Sequence, residues 1–179
     1  MTDRRTFIKN SGLAVAAVGM ASTMPMAACV GANEKLVCGL IGAKGMGFSD
    51  LKAFLNQPNT ECAAICDVDE SVLNQRIADT EKLQGKKPVG FKDYRKLLEM
   101  PGIDVVIIGT PDHWHCLPMV EACQSGKDVY CEKPLGNSIE EINIMERAAK
   151  KYKTVVQVGM WQRSDPHWRG AVDFVESGK

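Results

Sequence analysis

The run "IDVVIIGT", Ile103 to Thr110, constrains this chain more than any other stretch, because Val105, Val106, Ile107 and Ile108 follow one another with no polar alternation. A strand with no solvent-facing side must lie in a sheet covered on both faces, and that describes a parallel sheet with helices in front and behind. Further apolar runs supply its neighbours: "KLVCGLIG", "ECAAICDV", a short piece near "PVGF", "KDVYCEK" and "TVVQVGM". Helix-period segments separate them. "MGFSDLKAFLNQ" is stopped by Pro58, and "DESVLNQRIADTEKLQG" has Asp69 as N-cap, apolar Leu73, Ile77 and Leu83, and Gly85 just beyond. "DYRKLLEM" and roughly "HCLPMVEACQSG" follow. "SIEEINIMERAAKKY" opens on a capping box, Ser138 with Glu141, and places Ile142, Met145 and Ala149 on one face; "PHWRGAVDFVESGK" closes the chain. Six strands alternating with helices predict an α/β fold with a doubly wound parallel sheet over residues 35–179.

The first 28 residues stand apart from that pattern. Adjacent Arg4 and Arg5, then Phe7, Ile8 and Lys9, precede the weakly apolar "SGLAVAAVGMASTMPMAAC". This predicts an export signal of the twin-arginine type over residues 1–28 and a periplasmic location. Gly12, Gly19 and Pro25 make the same stretch a poor buried helix. "MAAC" reads either as a lipoprotein box acylated at Cys29 or as an ordinary cleavage near Ala28, and membrane contact is expected only in the first case. Without residues 1–28, which carry Asp3, Arg4, Arg5 and Lys9, the chain keeps 19 basic and 21 acidic residues, a net charge of −2. No other segment is long and apolar enough to span a bilayer. A charge so near zero gives no electrostatic footprint for nucleic acid. None of the seven cysteines forms a C-x-x-C pair, and those inside strands read as buried free thiols.

The chemistry concentrates after the strands. "GLIGAKGMGFSD" joins the first strand to the first helix through a glycine-rich loop. A dinucleotide pyrophosphate needs main-chain N–H groups at a helix start with no side chain in the way. Gly42 supplies the turn and Gly47 the close helix–strand packing. Lys44 stands where G-x-G-x-x-G expects its second glycine, with Gly45 beside it and Met46 following. Asp67 comes 25 residues after Gly42, at the end of the second strand. An acid there accepts from an adenosine ribose and repels a 2′-phosphate, so NAD is expected and NADP less so. Asp69 serves as helix cap, which leaves Asp67 free. Thr110, Pro111, His113 and His115 crowd the turn after "VVII". Two histidines at i and i+2 lack supporting ligands, so no metal is expected. Glu132, Lys133 and Pro134 then leave the fifth strand at the same edge.

Together these residues resemble the amino-terminal, NAD(P)-binding Rossmann domain of the Gfo/Idh/MocA oxidoreductases. The shared features are the loop from Gly42 to Gly47, Asp67, the T-P-x-x-x-H string at Thr110, Pro111 and His115, Glu132-Lys133-Pro134, and the segment "GMWQRSDPHW". The resemblance covers about residues 35–179 and extends to an exported, twin-arginine branch. It implies that Gly42, Lys44, Gly45, Met46, Gly47, Asp67, Thr110, Pro111, His115, Glu132 and Lys133 form the cofactor side. Lys133 is then the catalytic candidate, close to the nicotinamide and to the substrate hydroxyl. The implied reaction is hydride transfer at a sugar or polyol hydroxyl.

Members of the family continue into a second α/β domain that supplies the sugar pocket and usually the oligomer interface, whereas this sequence stops near its expected start. The expectation is a truncated form with a cofactor half-site, and a last helix whose Val172, Phe174 and Val175 promote self-association. Two other readings stand beside the oxidoreductase: an NAD-dependent glycosidase of the same superfamily, which the intact E-K-P disfavours, and a non-catalytic nucleotide-binding remnant.

Overall fold

The structure is a computed structural model and describes residues 35–178. The segment expected to be an export signal, residues 1–28, and Cys29 lie outside the described residues. Six strands form one parallel sheet: β1 (Leu36–Ile41), β2 (Thr60–Cys66), β3 (Val89–Phe91), β4 (Val105–Ile108), β5 (Asp128–Cys131) and β6 (Val156–Val158), in the order β3-β2-β1-β4-β5-β6. The order reverses between β1 and β4, the place where a doubly wound sheet opens a crevice at its carboxyl edge. The connecting helices are α1 (Met46–Leu55), α2 (Glu70–Gln84), α3 (Tyr94–Leu98), α4 (Cys116–Gln124) and α5 (Ile139–Tyr152), and α6 (Pro166–Glu176) follows β6.

Strand alternation sends the core to both sides of the sheet. On one face Cys38, Leu40, Ile65 and Ile107 pack with Phe48, Leu51 and Leu73 of α1 and α2. On the other, Ile41, Val106, Ile108, Val129 and Cys131 meet Leu97, Met119, Ala122 and Met145 of α3, α4 and α5. The unbroken apolar run is therefore buried on both sides, as its composition requires. Cys38, Cys62, Cys66 and Cys131 are free, buried thiols of the strands, and burial holds the Cys66 and Cys131 thiols up at about 12, with neighbouring carboxylates adding to the effect.

Helix ends follow the sequence closely. The Asp69 carboxylate accepts from the N–H groups of Ser71 and Val72, and Gly85 ends α2 in the left-handed region. The face of α2 differs from the expected stripe, since Leu83 is exposed and Thr80 is buried instead. At α5 the Ser138 hydroxyl oxygen accepts from the Glu141 N–H, but the Glu141 carboxylate turns to the N–H of Asn137 rather than that of Ser138. The buried face of α5 runs through Met145 and Ala148, with Ile142 exposed. Both shifts have one cause: a 3.6-residue period leaves neighbouring positions competing for the contact, and the sheet beneath decides.

Helix α6 is exposed along its length, including Val172, Phe174 and Val175. No helix among the described residues is long and apolar enough to cross a membrane.

Leu97 is fully buried, and a Cβ added at Gly39 would lie 2.7 Å from its Cδ2. Strand β1 and α3 thus pack closely at this position. Leu97→Ala is expected to cost about 2–5 kcal/mol, since the rigid sheet cannot collapse into the gap. Urea unfolding of the two proteins checks it.

Candidate functional site

Three glycines shape the crevice. Gly42 follows β1 with φ +83°, and a Cβ there would lie 2.6 Å from the Thr110 nitrogen. One at Gly47 would stand 2.1 Å from the Gly42 carbonyl oxygen, and one at Gly109 would stand 2.4 Å from the Gly47 Cα. Loop, helix start and the end of β4 therefore touch main chain to main chain. The approach is fixed by hydrogen bonds from Gly42 N–H to the Cys66 carbonyl at 2.9 Å and from Gly109 N–H to the Ile41 carbonyl at 2.9 Å. Gly109 was not among the residues expected for the site, although a glycine closing a buried β-branched strand was the available signal.

The crest of the loop is open. Lys44, Gly45 and Met46 are exposed, a Cβ at Gly45 would meet nothing within 4 Å, and no side chain caps α1. Lys44 in place of the consensus glycine is exposed and takes no part in the close contact of Gly42, Gly47 and Gly109. Beside this loop lies a cleft of about 560 Å³, whose walls include Gly42, Lys44, Asp67, Thr110, Pro111 and Trp114.

Asp67 is not free, contrary to the sequence reading. Its Oδ2 accepts from the Ala43 N–H at 2.8 Å and its Oδ1 from the Asp69 N–H at 2.9 Å. The correction follows from the loop closing back over the end of β2, which no local spacing reveals. A carboxylate has about four acceptor positions, so two remain for hydroxyl groups. The Asp69 carboxyl is held below the usual carboxylate range, first by the Ser71 hydroxyl, then by the N–H groups of the helix start, with a smaller effect from Lys44. In the next turn the Thr110 hydroxyl oxygen is buried with no hydrogen-bond partner.

His115 does not line this cleft. It is 1% exposed, with Nδ1 at 2.8 Å from the Pro134 carbonyl oxygen and Nε2 at 2.7 Å from the Thr110 carbonyl oxygen. Glu132 and Lys133 leave β5, one strand beyond β4. Lys133 is exposed and its bond to Pro134 is cis. Glu132 is buried; its Oε2 accepts from the Lys133 N–H at 3.2 Å, while its Oε1 has no partner and lies where a Cβ on Gly159 would stand 2.1 Å away. Asp50 of α1 also feels the Glu132 charge. Among the described residues no cluster of three or more metal-ligating side chains occurs.

A dinucleotide fits these residues. The glycine contacts leave room for a pyrophosphate to approach the main chain, no side chain competes for the N–H groups at the start of α1, Asp67 has acceptors to spare, and the Thr110 hydroxyl has no partner. Comparison with known proteins agrees. The Gfo/Idh/MocA model, described as an oxidoreductase family with an NAD-binding Rossmann fold, matches residues 36–160. The chain belongs to that family. An uncharacterised oxidoreductase, YrbE of Bacillus subtilis, is 31% identical over 147 residues, which are 82% of this chain and 42% of that protein. A glycosyl hydrolase family 109 protein of a Shewanella species is 33% identical over 125 residues, 67% of this chain and 27% of that one. Among solved structures, myo-inositol 2-dehydrogenase of Lactobacillus plantarum superposes with a TM-score of 0.72 at 24% identity, over 80% of this chain and 42% of that one, a likeness of fold. The chain thus spans less than half the length of these relatives.

Burial, and after it the Glu132 charge, push the Asp50 carboxyl from 3.8 up to about 6. The folded state then binds more protons than the unfolded chain between those values, so this residue makes stability fall as pH rises through that window. Asp50→Asn should flatten the fall, with a larger gain over the parent at pH 7 than at pH 4. Urea midpoints at the two pH values measure it.

Proposed function

We propose that this chain is the NAD-binding part of an oxidoreductase that transfers hydride at a hydroxyl-bearing carbon of a sugar or polyol. The observation that carries the reading is the three-glycine contact beside a cleft walled by Gly42, Lys44, Asp67 and Thr110. Main-chain N–H groups at Lys44, Gly45 and Met46 would hold the pyrophosphate, and the exposed Lys44 ammonium adds positive charge beside it. Asp67 would accept from the adenosine ribose hydroxyls, and its negative charge disfavours a 2′-phosphate, so NAD is preferred over NADP. When bound, the nicotinamide accepts or returns the hydride. Lys133, exposed at the end of β5, would face the substrate hydroxyl, where its ammonium orients the oxygen and stabilises negative charge developing on it. Glu132 packs behind it and donates nothing; its carboxylate holds the Lys133 N–H.

The glycosidase reading draws on the family 109 relatives. In that chemistry the same cofactor side serves an oxidation, elimination and re-reduction of one sugar. The Glu132-Lys133-Pro134 segment favours the simple dehydrogenase. Arg4 and Arg5 ahead of a weakly apolar stretch support export by the twin-arginine route.

Isothermal titration with NAD and with NADP tests the cofactor half directly. NAD is expected to bind more tightly than NADP. Asp67→Ala should weaken NAD by roughly tenfold or more, the loss of a charge-assisted hydrogen bond or two, and should narrow the preference. Absence of heat with either nucleotide would sink the reading.

A further inference from the structure

His115 has an arrangement that its place in a T-P-x-x-x-H string does not explain. Both ring nitrogens lie at hydrogen-bond distance from main-chain carbonyl oxygens, Nδ1 from Pro134 at 2.8 Å and Nε2 from Thr110 at 2.7 Å. A carbonyl oxygen only accepts, and a neutral imidazole has one N–H. The neutral ring would therefore point a lone pair at one of these oxygens, in a place that is 1% exposed and where water cannot substitute. We propose that His115 is an imidazolium, donating one N–H to Thr110 and the other to Pro134, and that this buried cation is a positioning residue joining the turn after β4 to the Lys133–Pro134 segment after β5.

Burial and the place of His115 at the start of α4 both oppose a positive charge, so the two carbonyl contacts have to outweigh them. Two hydrogen bonds from a cation to carbonyl dipoles are of the strong, charge-assisted kind. The ionisable groups on the neighbouring elements include Asp112 and His113 on the same turn, Cys116 and Glu121 of α4, Glu132 and Lys133 at the end of β5, and Glu140 and Glu141 in the first turn of α5. Of these only Glu132 is buried, and its Oε1 has no hydrogen-bond partner.

Thr110 walls the cleft, and Lys133 immediately precedes the other carbonyl that His115 holds. His115 thus adds a side-chain link between the cofactor turn and the lysine segment, beyond the end of the β4–β5 ladder. That consequence rests on the oxidoreductase reading; the protonation state does not.

The chain has three histidines, and His113 and His167 are exposed. His113→Gln with His167→Gln leaves His115 as the only imidazole for nitrogen-15 NMR of the full chain. At neutral pH both ring nitrogens should resonate as protonated, with two slowly exchanging ring N–H signals. A single protonated nitrogen beside a pyridine-type one would overturn the proposal. His115→Gln, in which one amide reaches at most one of the two carbonyls and carries no charge, should weaken NAD about tenfold, the loss of one such bond. Two protonated nitrogens in a protein that binds no NAD would leave the clamp standing and remove the oxidoreductase reading. A neutral ring in a protein that binds NAD would do the reverse.

Discussion

The mutual contact of Gly42, Gly47 and Gly109 is the constraint on which the site depends. No Cβ fits at any of the three without meeting main-chain atoms. Because main chain meets main chain there, the start of α1 lies directly over the gap between β1 and β4. That gap is where the strand order reverses, and a doubly wound sheet has its ligand crevice at such a point. Asp67, Thr110 and the uncapped helix start become one site only because this contact fixes their separation. Larger residues at the glycines would force the helix away and open the crevice.

A second layer holds the first in place with polar groups. Asp67 ties the glycine loop to the start of α2 through the N–H groups of Ala43 and Asp69. His115 bridges the ends of β4 and β5 from behind the cleft wall. Glu132 is pressed between the Lys133 N–H and Gly159. The side chains expected to touch a ligand thus divide into those that face the cleft and those that hold its walls.

Much of this was legible in the sequence because the signals are local. Alternating strand and helix periods pointed to six strands in a doubly wound parallel sheet, and "IDVVIIGT" marked its buried centre, while the strand order itself came from the structure. Caps at Asp69 and Ser138 and the stop at Gly85 are set by main-chain geometry within four residues. The glycine loop and Asp67 carry their expected chemistry in residue type and spacing, whereas the roles of Thr110 and Lys133 are what the family resemblance implies. Relations between segments distant in sequence were not legible. Gly109 reads as the end of a strand until α1 is laid against it. Asp67 looks free until the loop from 24 residues earlier returns to it. Leu83 and Ile142 satisfy a helical stripe, yet the sheet beneath selects Thr80 and Ala148.

The sequence by itself determined the class of fold, the edge of the sheet where chemistry gathers, and the residue types available there. These depend on periodicity, on glycine's missing side chain and on the chemistry of acids and lysine. The tertiary structure alone decided which of those groups face the cleft, and it set His115 between two carbonyl oxygens 19 residues and five residues away in the chain. Hydrogen bonding is directional and short in range, so the role of a buried polar side chain belongs to the partners that folding brings to it.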